Sequence, residues 1–416
     1  MSTAYLELNT FDPIVARDGR PFGVGQGNRM RGLPWPFPSV VAGSFRTALV
    51  KATGGDFSGS VPTELMKLAV AGVFPVADGE LYLPAPNDCV VEEITTKVGD
   101  KSVKTYEPHR AQPESENSDV GEGCDWPDGV SLRPVVIERE GDFKPYDKAP
   151  VWWPMTKYIE WLRDPSPTDK VPFFDKTFLL AAKSEERTQI EMNAEAGSVE
   201  EGKLFTTAGV RLSHLPRFGA ESDEKRFEEK FAEITLAARV ETDTWDADKL
   251  SILHPLGGER RLAHWSPTGK ANLWDCPKAV TDSLGKTEAV RMVLTTPAVF
   301  KHGWRPDWID KSTLRGRPKW WPDGPQLKLV GVSIPRWKAV SGWSLAPLKE
   351  TGKPGPKAIK RLVPAGGVYF FTVESGNPEL LAKQWLQPVS DEEQDRLDGF
   401  GLAVWGTWND TTKRSN

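Results

Sequence analysis

Glycine and proline interrupt this chain throughout, with 37 of one and 35 of the other among 416 residues. That is more than an ordinary globular protein carries and less than a low-complexity chain, so a loop-rich globular protein is expected. The longest apolar stretch, Leu68 to Ala77, runs for about ten residues and contains Pro75. A membrane-spanning helix needs roughly 20, so none is expected. At this length two or three domains are expected, with enough chain to bury a core. The N-terminus, Met1-Ser-Thr-Ala-Tyr-Leu-Glu-Leu, shows no cationic region followed by an apolar block, so no export signal is read there. The three cysteines, Cys89, Cys124 and Cys276, form no C-x-x-C pair, which fits neither a disulfide framework nor a zinc site. The chain reads as cytoplasmic and reduced.

Local patterns then suggest an order of elements. Ala4, Leu6 and Leu8 alternate with Tyr5, Glu7 and Asn9, the pattern of a half-buried strand. A glycine- and arginine-rich loop follows, then the extended Leu33-Pro-Trp-Pro-Phe-Pro38. Ser39 is a good N-cap for a helix carrying Val41, Phe45, Ala48 and Leu49 at helical spacing and ending by Gly54-Gly55. Residues 112–128 hold six acids and no base and read as a surface loop or insertion. Arg187–Met192 and Lys203–Thr207 read as a projecting hairpin turning near Gly197, and Phe231–Val240 as a further strand. A second series runs through Ala289–Thr296, Leu327–Trp337, Val368–Val373, a helical Pro378–Trp385 and Leu402–Trp408. Two α+β modules of the βαββαβ kind, residues 1–245 and 246–416, account for both series.

Several motifs tempt and fail. Gly54-Gly55-Asp56-Phe57 resembles part of a cyclase signature but lacks its glutamate and follows a helix, so a C-terminal glycine turn is the better reading. Gly285-Lys286-Thr287 imitates the end of a phosphate loop, yet the required first glycine is Val280. Gly23-Val24-Gly25-Gln26-Gly27 has Asn28 where a dinucleotide fingerprint needs its third glycine. The five histidines are scattered without metal spacing, and no serine stands in a G-x-S-x-G setting. No case for catalysis, a cofactor or a metal arises from these residues.

Four segments carry binding chemistry instead. Residues 16–46 include Arg17, Arg20, Arg29, Arg31 and Arg46 against one acid, among glycines that would let a ligand approach the backbone. With the helix start at Ser39, and with Gln26 and Asn28 in the loop, they suit phosphates; the plainer reading is a solvated loop whose arginines pair with nearby acids. The hairpin, with Arg187, Gln189, Lys203 and Phe205, could wedge between bases of a single strand or pack on a neighbouring subunit. Lys301 to Arg361, which includes Arg336, holds fourteen Lys/Arg and four Asp/Glu interleaved with six tryptophans. Such a mixture suits stacking plus phosphate contact, although tryptophans of this kind are often core. Last, Gly399-Phe400-Gly401 opens the final strand and is by itself an ordinary tight turn.

Taken in order, these segments resemble one family, the RAMP-superfamily third subunit of type III-B CRISPR (Cmr) effector complexes. The resemblance rests on Phe11-Asp-Pro with Arg17-Asp-Gly-Arg-Pro-Phe-Gly, Leu33-Pro-Trp-Pro-Phe-Pro-Ser39, Glu200-Glu-Gly-Lys-Leu-Phe205 and Gly257-Gly-Glu-Arg260. It continues through Thr296-Pro-Ala-Val-Phe300, Gly303-Trp-Arg-Pro306, Val340-Ser-Gly-Trp343, Val363-Pro-Ala-Gly-Gly-Val-Tyr-Phe370 and Gly399-Phe-Gly401. It implies two tandem ferredoxin-like (RRM-like) domains with long loop insertions, and no nuclease activity. It also implies a role: binding the single-stranded 5′ handle of the CRISPR RNA and docking on the large polymerase/cyclase-like subunit and an adjacent RAMP backbone subunit. Relatives often show histidine where this chain has Gln189. Two other readings are a RAMP endoribonuclease that processes the CRISPR transcript, and an adaptor touching only protein.

The net charge of −5 at first disfavours a nucleic-acid partner. Residues 16–46 carry +4 and residues 301–361 carry +10, so the remainder carries −19. An acidic body with basic segments is compatible with holding one defined strand.

Overall fold

The structure is a computed structural model and describes residues 2–17, 28–99, 101–114, 132–137, 141–163, 173–193, 195–219, 227–243, 245–344, 352–353 and 355–410. It is a mixed α/β protein, rich in sheet and poor in helix. The expected first strand is Ser2–Thr10, with Ala4, Leu6 and Leu8 buried and Tyr5, Glu7 and Asn9 half-buried, as the alternation requires. Its buried side packs on the helix Pro38–Ala52 through Val41, Phe45, Ala48 and Leu49. This helix starts one residue before Ser39. Phe37 holds the cap position without a side-chain cap bond, and Pro38 fills the first turn, where its missing N–H leaves nothing unsatisfied. Ser39 is therefore not the cap. The helix ends in a glycine turn in which Gly54 has φ +69°, so Gly54-Gly55-Asp56-Phe57 belongs to that turn.

Seven strands form the first sheet, in the order Ile252–Pro255, Leu262–Pro267, Ser2–Thr10, Thr235–Thr242, Ala69–Ala77, Glu80–Pro84 and Trp152–Pro154. All neighbours are antiparallel. Two of these strands, Ile252–Pro255 and Leu262–Pro267, lie beyond position 245, so a division at 245/246 separates them from the sheet they complete. The apolar stretch near Ala77 is a strand buried along most of its length, which is why it shows no alternation.

The second sheet has the order Arg315–Gly316, Gln326–Ser333, Val368–Ser375, Ala289–Leu294, Leu402–Thr407 and Gln387–Pro388, again antiparallel throughout. Every residue of Ala289–Leu294 and Leu402–Thr407 is buried, so both faces are covered. Part of that cover comes from the first half of the chain. The helix Met155–Arg163 lies so close that a Cβ on Gly406 would meet the Leu162 carbonyl oxygen at 2.7 Å.

In both sheets the four long strands, counted in chain order, lie side by side as 4-1-3-2. Between the first two long strands of the second sheet the chain runs through turns, isolated bridges and the two-residue strand Arg315–Gly316 instead of a helix.

Two ribbons leave this body. The expected hairpin is Ser184–Met192 with Val199–Val210, turning at Gly197 with φ +63°. The second, Cys89–Val98 with Lys101–Pro113, was not legible in the sequence. It takes Gln112 and Pro113 from the acidic stretch; residues 115–128 of that stretch lie outside the described residues. No helix among the described residues is long and apolar enough to cross a membrane.

Candidate functional site

An open cleft of about 1060 Å³ lies between the helix Pro38–Ala52, the long hairpin, the turn at 257–259 and the segments 340–342, 357–360 and 394–400. Its volume stands at the upper end of the usual small-molecule pocket. Arg17, Gln189, Phe205, Gly257, Ser341 and Phe400 all line it, although the first and last are nearly the whole chain apart. Segments that sequence order keeps separate thus share one surface.

Each wall has a local cause. Ser39, Gly43 and Thr47 recur every four residues and fall on one face of the helix Pro38–Ala52, opposite the side that fills the core. A Cβ on Gly43 would meet nothing within 4 Å, so that face is open to the cleft. Gln189 and Phe205 are direct cross-strand partners on the hairpin and present together. The Gln189 amide donates to Thr207 Oγ1 at 2.9 Å and to Glu259 Oε1 at 3.2 Å, joining the hairpin to the Gly257-Gly258-Glu259 turn. That turn needs glycine at 257, where φ is +78° and a Cβ would sit 2.4 Å from the Val15 carbonyl oxygen.

The charges of the cleft are mostly paired. Lys360 Nζ donates to both Asp395 oxygens at 2.8 and 2.9 Å, and Arg261 donates to Glu259 at 2.7 Å. Burial pushes the Asp395 carboxyl above its ordinary value, with Lys360 opposing the shift. His254 is buried with Nε2 2.8 Å from Thr47 Oγ1; burial first, and Lys51 second, hold the imidazole below its usual range. Arg17 and Lys357 are exposed and, among the described residues, pair with no carboxylate. The cleft thus offers neutral donors and acceptors, apolar surface from Met30 and Val340, and two free cations. Among the described residues no three His, Cys, Asp or Glu side chains converge as a metal site would require.

The residues expected from the sequence divide into groups. Arg17, Ser39, Gln189, Phe205 and Phe400 line the cleft. Arg29 and Arg31 flank Met30 on the exposed side of the chain, and Arg29 is ion-paired with Glu186. Arg187 is exposed and paired with Glu185 at 2.5 Å. Arg336 is exposed, two residues before the strand Lys338–Val340, and does not line the cleft. Arg20 and Gln26 lie outside the described residues, and Asn28 and Lys203 are described in their backbones only.

Two expectations need correction. Arg46 was expected at a phosphate, but it is 5% exposed, ion-paired with Asp398 at 2.5 Å and donating to the Leu68 carbonyl at 2.7 Å. A guanidinium held this way has no free fork for a ligand. Gly399 and Gly401 were expected at the RNA, yet both are required by packing. With φ values of +88° and +80°, their Cβ atoms would stand 2.4 Å from the Val70 carbonyl oxygen and 2.6 Å from Ser390 Oγ. Phe400 between them is 3% exposed and serves as floor. Gly399→Ala is therefore expected to destabilise the fold by about 2 kcal/mol or more, read as a lower denaturant midpoint.

Thr47, His254, Lys357 and Asp395 were missed. The four-residue spacing of Ser39, Gly43 and Thr47 was one available signal and the basic 301–361 segment, which holds Lys357, was another; His254 and Asp395 come from segments with no local pattern.

Two antiparallel sheets and an open cleft whose charges are mostly paired define a sheet-rich α/β protein. The chain belongs to the CRISPR-associated protein (Cas_Cmr3) family, whose model matches residues 6–408. Two solved chains are similar to it. One is from the cryo-EM structure of the Type III-B Cmr-beta bound to cognate target RNA and AMPPnP, state 1, at 12% identity and a TM-score of 0.42. The other is from the cryo-EM structure of the Type III-B Cmr-beta bound to cognate target RNA, at 13% identity and a TM-score of 0.44. In each comparison the match covers 88% of this chain and 86% of the other. No curated protein matches the chain.

Proposed function

We propose that this chain is a non-catalytic subunit of a type III-B RNA-guided effector complex, holding the single-stranded 5′ handle of the CRISPR RNA in the cleft. It would be a RAMP protein of two ferredoxin-like units, docking the large polymerase/cyclase-like subunit and an adjacent backbone subunit. The 4-1-3-2 order of the long strands in both sheets supports the paired units, with the first crossover helix of the second unit replaced by loops. Family membership supports the assignment to a CRISPR complex.

The observation that carries the proposal is the convergence of Arg17, Gln189, Phe205, Gly257, Ser341 and Phe400 on one cleft. An unpaired strand exposes base faces and edges as well as phosphates, and the cleft offers a counterpart to each. Phe205 and the apolar floor suit bases, the Gln189 amide suits edges, and Arg17 and Lys357 suit phosphates. Its acids are turned towards Lys360, Arg46 and Arg261, an arrangement for structure more than for proton transfer.

The double substitution Arg17→Glu with Lys357→Glu tests this. Binding of a single-stranded handle RNA, followed by fluorescence anisotropy, is expected to weaken about tenfold or more at moderate salt, with the salt slope reduced by about 2. Thermal unfolding should not change, because both side chains are exposed and unpaired. Unchanged affinity in a folded double variant would reject the cleft as the RNA site.

A further inference from the structure

Of the five described tryptophan rings in the basic segment 301–361, three are covered by the core and Trp320 is 37% exposed beneath Arg396. Trp308 is buried, and Trp304 and Trp321 pack against the core. Trp337 differs: it is half exposed, and the Arg361 guanidinium lies over its ring at 4.8 Å. It stands at the start of a two-stranded ribbon, Lys338–Val340 with Lys360–Leu362, continued by Trp343–Ser344 with Gly355–Pro356.

The ribbon has two sides. Towards the cleft it sends Val340, which is buried, and Lys360, which pairs with Asp395. On the other side Ala339 lies directly across from Arg361, leaving a small residue beside the Trp337–Arg361 stack. Ile359, two residues before Arg361, is 74% exposed. Over 336–343 and 355–363 the chain has five bases, Arg336, Lys338, Lys357, Lys360 and Arg361, and no acid. Among the described residues Arg336, Lys338 and Arg361 have no carboxylate partner.

We propose that this outer side of the ribbon is a second binding site, a stacking platform for unpaired nucleotides that leave the cleft over its rim. The inference rests on the handle-binding reading of the cleft and extends the path of the strand beyond it. Trp337 offers one face to a base while Arg361, already on the ring, holds the platform flat and faces the following phosphate. Arg336, which precedes Trp337 in the chain and is exposed, takes the phosphate on the other side. An acid-free strip of lysine and arginine fits a polyanion better than a protein partner, since lysine is depleted from the centres of protein interfaces. The platform is continuous with the cleft because Lys357 and Lys360 of the same ribbon line it.

The test uses the full chain and two fluorescein-labelled oligouridylates, one of about six nucleotides, matching the cleft, and one of about twelve. Trp337→Ala is expected to weaken the longer probe about tenfold and the shorter one less than twofold, whereas Trp337→Phe retains most of the affinity. Arg17→Glu with Lys357→Glu should weaken both probes. The unfolding midpoint of Trp337→Ala should match that of the unsubstituted chain, because half the ring is already in water. If the cleft variant weakens both probes and Trp337→Ala weakens neither, the platform is rejected while the cleft reading stands. If Trp337→Ala instead abolishes co-purification with another subunit at unchanged RNA affinity, the ribbon is a protein surface and the proposal is overturned. If the cleft variant weakens neither probe, it is the handle-binding reading that fails.

Discussion

Asp88→Ala is expected to destabilise the protein by about 3–5 kcal/mol, the largest loss from any single carboxylate. Asp88 and Arg291 are both 0% exposed and ion-paired with each other. The Trp161 indole N–H donates to Asp88 Oδ1 at 2.9 Å, and Arg291 also donates to the Trp161 carbonyl. Arg110 completes the cluster, its guanidinium 3.8 Å from the Trp161 ring centroid and donating to the same carbonyl at 2.9 Å. Four distant pieces meet here: the turn after Glu80–Pro84, the strand Lys101–Pro113, the helix Met155–Arg163 and the strand Ala289–Leu294. Removing the carboxylate leaves a guanidinium in the interior without a counter-charge, which costs far more than the pair contributes when intact. A chemical denaturation midpoint measures the loss. Asp88→Leu combined with Arg291→Met should recover most of it, because an apolar pair of similar volume avoids desolvating either charge. A loss below about 1 kcal/mol would show that water reaches the site.

Arg46→Ala should behave in the same way and should leave the exposed cations of the cleft, Arg17 and Lys357, in place. Both side chains of the Arg46–Asp398 pair are more than nine-tenths buried, and Gln394 donates to the same Asp398 oxygen at 2.9 Å. The pair fastens the helix Pro38–Ala52 to the turn that precedes the last strand, directly beneath the cleft floor. About 3–5 kcal/mol of stability is expected to go with the arginine. RNA affinity, measured at a temperature where the variant remains folded, should stay within about threefold of the original. The contrast with Arg17→Glu and Lys357→Glu is the decisive comparison: those should lower affinity and spare stability. If Arg46→Ala instead lowers affinity tenfold with an unchanged midpoint, the guanidinium contacts RNA and the buried pair is not its role.

How far the sequence could be read depended on the range of each signal. The strand at Ser2–Thr10, the helix behind Pro38 and the hairpin turning at Gly197 announce themselves by spacing over a few residues. Ala69–Ala77 was hidden because burial on both faces removes alternation, while Gly72 and Pro75 interrupt the run. The pair Ile252–Pro255 and Leu262–Pro267 was hidden by the proline and glycine residues around its own turn. Arg46 misled for a different reason. On the chain it extends a series of arginines, and nothing nearby reveals that its partner is 352 positions away.

The sequence by itself determined which segments carry binding chemistry, because arginine, glycine and aromatic residues are local facts. It also determined most of the strand series, because side-chain periodicity follows from backbone geometry. Only the tertiary structure decided which of those residues face the cleft. Burial and pairing are properties of three-dimensional neighbours, so Arg17 and Lys357 stay free while Arg46 is locked to Asp398. The same step changed the glycines flanking Phe400 from candidate contacts into packing requirements, and the distant Ser39, Gln189 and Ser341 into one wall-lined cleft.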